Sequence, residues 1–238
     1  MVFAMQFRFL RFHWVLFCCL CPSIAMAQPG TTMPFENEPG LLGRHFLQGQ
    51  FIMLQTPEHM RSIDSTMTGF TTTLNVPTPW NEMLPATIGQ DLFVSGMELN
   101  YGGVGGFGGT LANVDAQFRS VGAGLTTYLY LTHDIRPFIQ LGVAYDAATI
   151  RLASGGFGFR DTDLDGRLLV NPGVELDLTD QVALRTTFGL DTKGGFDKTT
   201  YRVELIGWPT EWLFVRGGVA GDVEGDSVGG LIGGGIAW

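Results

Sequence analysis

Residues 228 to 237 read Val-Gly-Gly-Leu-Ile-Gly-Gly-Gly-Ile-Ala, and Trp238 follows as the last residue. Val228, Ile232, Ile236 and Trp238 share one face at a period of two, the mark of a strand with one apolar side. An open sheet would leave such a strand as an exposed edge. A closed antiparallel transmembrane barrel removes the edge by pairing the last strand with the first, turns the apolar side to lipid and sets the aromatic at the membrane interface. The competing fold is a secreted β-sandwich, which packs the same faces against a second sheet and leaves Trp238 without a role.

The beginning of the chain points to export. Arg8 and Arg11 precede an apolar run from Trp14 to Leu20, and Ala25-Met26-Ala27 has the small-x-small form of a cleavage site. Residues 1–27 are therefore expected to be a signal peptide. All three cysteines, Cys18, Cys19 and Cys21, fall inside it, so the mature chain has no thiol for a disulfide, a metal or a nucleophile. Lipidation at Cys21 is disfavoured by the bulky Leu20 before it. Loss of the leader takes 2 of 14 basic residues and leaves 12 against 23 acidic ones, a net charge of −11, which argues against nucleic-acid binding. No later segment has the run of about 18 to 20 apolar residues that a membrane helix needs. Insertion must then be through strands.

The second half of the chain alternates clearly. Ile139, Leu141, Val143, Tyr145 and Ala147 form one face, with Phe138, Gln140, Gly142, Ala144 and Asp146 on the other. Leu168 to Leu178 and Val182 to Leu190 repeat the pattern, with Glu175, Asp177, Arg185 and Asp191 on the second face. Charge cannot face lipid, so Asp146, Glu175, Asp177, Arg185, Asp191, Arg202, Glu204 and Arg216 are expected to point into a lumen and pair across it.

The connections fall into two sets. Residues 132–134, 179–181 and 209–211 read as tight turns; 102–113, 152–163, 192–199 and 222–227 read as longer loops rich in Gly, Asp and Ser. Short turns on the periplasmic side and longer loops outside are the usual asymmetry of such barrels. Trp208, Trp212 and Trp238, with Tyr128 and Tyr130, fall near the short-turn ends, where an aromatic girdle is expected. The drafted strands are 43–55, 68–76, 90–101, 115–131, 135–150, 164–178, 182–191, 200–208, 212–221 and 228–238. That is an all-β, closed antiparallel barrel of about ten strands, with eight and twelve as alternatives. It occupies residues 42–238, after an unstructured, proline-bearing lead-in at 28–41, and no plug or second domain is expected.

The aromatic end, the strand opening Ile135 to Tyr145 (IRPFIQLGVAY) and the passage Gly173 to Asp180 (GVELDLTD) resemble the OmpA-like and adhesin-type small outer-membrane barrels of bacteria. The resemblance implies an outer-membrane address, a terminal aromatic read by the barrel-assembly machinery, and outer-membrane lipids as surroundings. It names neither a solute nor an oligomeric state.

Three site readings follow. Asp161-Thr-Asp-Leu-Asp-Gly166 matches the start of a calcium loop through Asp161, Asp163 and Asp165, but position twelve is Pro172 rather than a bidentate Glu. The alternatives are a plain acidic loop, or a rim shared with Asp222, Glu224 and Asp226 that loosely collects divalent cations; no other cofactor is implied. Glu58, His59, Ser62, Asp64 and Ser65 bring a base and nucleophiles together in the first outer loop, the ingredients of a lipid-modifying or proteolytic barrel. The third is the lumen, either filled or a narrow pore. Of these, a non-enzymatic structural or surface-interaction barrel is the expected role, with a narrow channel for small solutes or ions as the alternative.

Overall fold

The computed structural model describes residues 39–55, 66–107, 110–132, 134–154, 157–191, 199–223 and 227–238. The leader, residues 28–38 of the lead-in, the first outer loop with His59, His133, and Glu224 and Asp226 lie outside them.

Ten antiparallel strands close on themselves in the order β1-β10-β9-β8-β7-β6-β5-β4-β3-β2. They are β1 (Phe46–Gln55), β2 (Thr66–Pro77), β3 (Ile88–Phe107), β4 (Thr110–Leu129), β5 (Ile135–Ser154), β6 (Phe157–Thr179), β7 (Val182–Asp191), β8 (Thr200–Gly207), β9 (Leu213–Asp222) and β10 (Val228–Ala237). The ring is completed where β1 meets β10, from Phe46↔Ala237 to Leu54↔Gly229. The end where Phe46 and Ala237 meet is here the near mouth, and the opposite end the far mouth.

Side-chain parity decides what faces where. On β5, Leu141, Val143 and Tyr145 are exposed, Tyr145 by 72%, while Arg136, Phe138 and Ala144 are buried. Leu168, Leu205, Val215, Val219, Ile232 and Ile236 extend the exposed apolar surface around the ring. Arg136, Glu175, Glu204 and Arg216 of the same strands turn inward.

Glycine in β10 serves this packing. Its inward positions include Gly233 and Gly235, opposite Gln50 and Gln48 of β1 and Arg216 and Phe214 of β9. A Cβ at Gly233 would overlap the Gly49 carbonyl and lie 2.6 Å from Gln50 Cγ. The bare backbone lets the β1 amides reach across β10 to the strands beyond it.

Two expected loops are strands instead. Residues 102–107 and 110–113 lie in β3 and β4, paired out to Phe107↔Thr110, and 152–154 and 157–163 lie in β5 and β6, paired out to Ser154↔Phe157. Their Gly, Asp and Ser content reflects a change of surroundings rather than a turn. Beyond Tyr145 the outward positions of β5 are Ala147, Thr149 and Arg151, and beyond Leu164 those of β6 are Thr162 and Arg160, so the strands run on past the apolar band. The proline-rich connection 77–88 holds a single 3-10 turn, Asn81–Met83. There the Asn81 side chain bonds both the N–H (2.8 Å) and the carbonyl (2.8 Å) of Gln90, extending the β2–β3 ladder by imitation.

Candidate functional site

Two polar layers fill the lumen towards the near mouth. In one, the fully buried Glu175 of β6 meets Arg136 of β5 (3.6 Å) and Arg185 of β7 (3.4 Å), and Arg136 also bonds Asp177. The guanidinium of Arg185 lies 4.5 Å above the Phe138 ring. In the other, Arg216 of β9 pairs with Glu204 of β8 and donates to Gln48, while Gln50 donates to Glu204. Gln48 and Gln50 come from β1, so this layer spans the join between the chain's first and last strands. Charges this far from water persist only when paired and hydrogen-bonded, which these are.

The near mouth is covered from within. Residues 39–41, the described part of the expected lead-in, cross the opening together with Leu42 and Gly43 as a strap. The backbone N–H groups of Leu41 and Leu42 donate to Glu175 Oε1 at 3.1 and 3.3 Å, and that of Gly43 donates to Asp91 Oδ2 at 3.0 Å. Asp91 also accepts from Asn75 (2.9 Å) and from the Tyr128 hydroxyl (3.2 Å). Leu41 packs with Phe46, Ala183, Ile206, Trp208 and Phe214, and Leu42 with Tyr128 and Phe138. At Gly40 there is no room for a side chain, since a Cβ would overlap the Glu175 carboxylate and the Arg136 guanidinium. An apolar pair in a short peptide thus finds its burial inside the barrel end.

Of the expected lumen charges, Glu175, Arg185, Glu204 and Arg216 are buried together in these layers. Asp177 joins them through Arg136. Arg202 lies on β8 opposite Thr187, on the same face as Glu204. Asp146 sits higher, bonded to Arg167 at 2.6 Å with each side chain about a third exposed. Asp191 ends β7 opposite Leu169. The sequence reading missed Arg136, Asp91, Gln48 and Gln50; parity with Phe138 would have placed Arg136 inside.

Trp208 departs from the expected girdle. It is 9% exposed, its Nε1 donates to the Pro39 carbonyl, its ring lies 5.2 Å from that of Phe214, and Arg44 stands 4.6 Å over it. It shares parity with Glu204 and Ile206, which turns it inward. Tyr128 is buried likewise, and burial beside it pushes the Tyr130 hydroxyl, just past the end of β4, up to about 12. Trp212 and Trp238 are exposed at the near end. The Trp238 ring stacks on that of His45 at 6.0 Å, and burial holds the His45 imidazole below its ordinary value.

Asp161, Asp163 and Asp165 do not begin a calcium loop. They lie in extended β6 opposite Ile150, Ala148 and Asp146, and Gly166 is a strand residue opposite Tyr145, so the chain does not wrap around an ion. Among the described residues, no group of three or more His, Cys, Asp or Glu side chains is placed to hold a metal.

No protein-family model and no curated protein matches the chain. Solved structures share its barrel form. The attachment invasion locus protein Ail of Yersinia pestis is 12% identical, with 83% of this chain and 100% of that one covered at a TM-score of 0.41. The translocator domain of autotransporter NalP from Neisseria meningitidis is 14% identical over 90% and 91% at 0.47, and Neisserial surface protein A is 12% identical over 83% and 97% at 0.34. TM-scores below 0.5 leave the closed ten-stranded barrel to rest on this chain's own ladders.

Proposed function

We propose that the chain is a non-enzymatic β-barrel of the bacterial outer membrane, with the near mouth in the periplasm and the far β3–β6 hairpins presented to partners in the medium. One observation carries this reading: the polarity of the wall is inverted. Leu141, Val143, Leu168, Leu205, Val215 and Ile232 face outward and exposed, while Arg136, Glu175 and Glu204 are sealed inside. A continuous apolar band of this kind is stable only against another apolar phase. On β5 the band runs from Ile135 to Tyr145, the span of about 9–11 residues that a tilted strand needs to cross lipid. Trp212 and Trp238 fall at its near rim, where an interfacial girdle belongs. The filled ionic layers and the strap favour a structural or interaction role over a standing pore.

The test is fractionation of the tagged protein, followed by gels with and without boiling. Recovery in the outer membrane with a heat-modifiable band is the expected result, together with little conductance in planar bilayers. A soluble periplasmic protein without a mobility shift overturns the reading.

A further inference from the structure

We propose that the open edge of β6 between Arg160 and Asp165 takes an extended segment of a partner protein as one more strand of the sheet, and that this segment carries basic side chains at every second position. This rests on the outer-membrane reading, which puts the far mouth in the medium, and names how a partner is held there.

The edge follows from unequal ladders. β6 is paired with β5 out to Ser154↔Phe157, but its ladder with β7 stops at Leu169↔Asp191. Residues 192–198, which join β7 to Thr199, are too few to rise along β6 by more than about three positions and return. Arg160 to Asp165 lie beyond that reach, and each of them is exposed. Among the described residues no strand pairs with them on that side.

The lower end of the strand fixes where its backbone groups point. The Asp177 N–H donates to the Asp134 carbonyl at 2.9 Å, and the β5–β6 register continues from there without a shift, Ile135↔Leu176 to Ser154↔Phe157. Odd-numbered residues of β6 therefore bond β5, and even-numbered ones turn their N–H and C=O groups to the other edge. The Thr162 N–H agrees, since it donates to the carboxylate of its neighbour Asp161 at 2.9 Å, as an amide outside the β5 ladder does. An arriving strand exchanges that local bond for a ladder bond and adds those of Arg160 and Leu164.

Side chains choose the occupant. Asp161, Asp163 and Asp165 share the inward face, and Ile150 and Ala148 stand opposite the first two on β5, so no cation faces those two across that ladder. A second copy of the chain fits badly. In an antiparallel pair of two β6 edges, even residues bond even residues and odd ones face odd ones, so the carboxylates of the two copies oppose each other in every overlapping register. Lysine or arginine opposite the same positions is attracted instead. The intervening residues of the added strand, opposite Arg160, Thr162 and Leu164, supply the bonding amides.

The experiment follows the fluorescence anisotropy of a labelled peptide of alternating threonine and lysine, seven residues long with threonine at both ends. It is added to the full secreted chain, refolded into phosphocholine vesicles and first scored for its heat-modifiable band. Saturable binding is expected, weakened about tenfold or more by N-methylation of the threonine amides, which face β6, and changed less than about twofold by N-methylation of the lysine amides, which face away. The triple variant Asp161→Asn/Asp163→Asn/Asp165→Asn should weaken binding of the unmethylated peptide about tenfold. Equal binding of the two methylated peptides reduces the attraction to surface charge and overturns the proposal, as does a folded barrel that binds neither them nor the parent peptide. Dimerisation of the folded barrel that Thr162→Pro abolishes gives the edge to a second copy and also overturns it. A chain with no heat-modifiable band that stays outside membranes instead removes the outer-membrane reading beneath it.

Discussion

The lower barrel and the upper hairpin sheet are built from the same strands but obey opposite rules. Between Ile135 and Tyr145, β5 shows apolar side chains outward and keeps Arg136 and Phe138 inside. Beyond Ala147 the same strand shows Thr149 and Arg151 outward, facing Thr162 and Arg160 of β6. Glu98 and Arg119, neighbours on β3 and β4, pair outward at 3.4 Å at the foot of this zone. Period-two alternation survives the boundary, whereas the polarity assigned to each face does not. Backbone pairing sets the strand, and the surrounding phase sets what its outer face carries.

The same perturbation should therefore cost different amounts in the two regions. The largest contrast is in ion pairs. Arg216→Met removes the ion-pair partner of the buried Glu204 and should cost about 3–5 kcal/mol, read as a lower urea midpoint of the protein refolded into phosphocholine vesicles. Outward charge comes next. Leu141→Arg, in the middle of the band, should cost about 2–4 kcal/mol, while Thr149→Arg above it should leave the midpoint within error; equal losses at the two sites would place the membrane boundary elsewhere. A smaller effect is expected from Asp146→Asn, which breaks a pair that is a third exposed on each side and should cost about 1 kcal/mol or less.

The smallest effect is a pH dependence at the near rim. Burial lowers the pKa of His45 in the folded protein, so below its ordinary value of 6.5 the unfolded chain binds the proton more readily. Stability should fall as pH drops from 6.5 towards the folded value and stay flat above it. The slope should vanish in His45→Gln, and an unchanged slope in that variant would assign it to another group.

Much of the barrel was legible in the chain. The alternation at 138–147, 168–178 and 182–190 marks three strands and their faces, because one face is exposed and apolar and the other is turned into the barrel. The outer parts of the two long hairpins were illegible for the converse reason: beyond the apolar band a strand needs no apolar face, so residues 102–107, 110–113, 152–154 and 157–163 carry loop-like composition while paired. Trp208 was misplaced by proximity to a turn, when its parity with Glu204 decides its direction. The strap left only a faint trace. Pro39-Gly40-Leu41-Leu42-Gly43 has an apolar pair between glycines, but nothing local shows that Glu175 and Asp91 will meet its amides, since those partners lie far along the chain.

The join between β1 and β10 also bears on how the molecule comes to exist. Gln50 meets Glu204 across 154 positions of chain, and Gln48 meets Arg216 across 168. Contacts so remote in sequence form late, because a very long loop must be closed before any of them gives a return. Hairpins from β2 to β9 can zip locally, but Arg216 and Glu204 gain their amide partners only when the first strand arrives. Closure of the ring and completion of its polar layer are thus a single kinetic event, and the seam is where assembly finishes and where unfolding should begin.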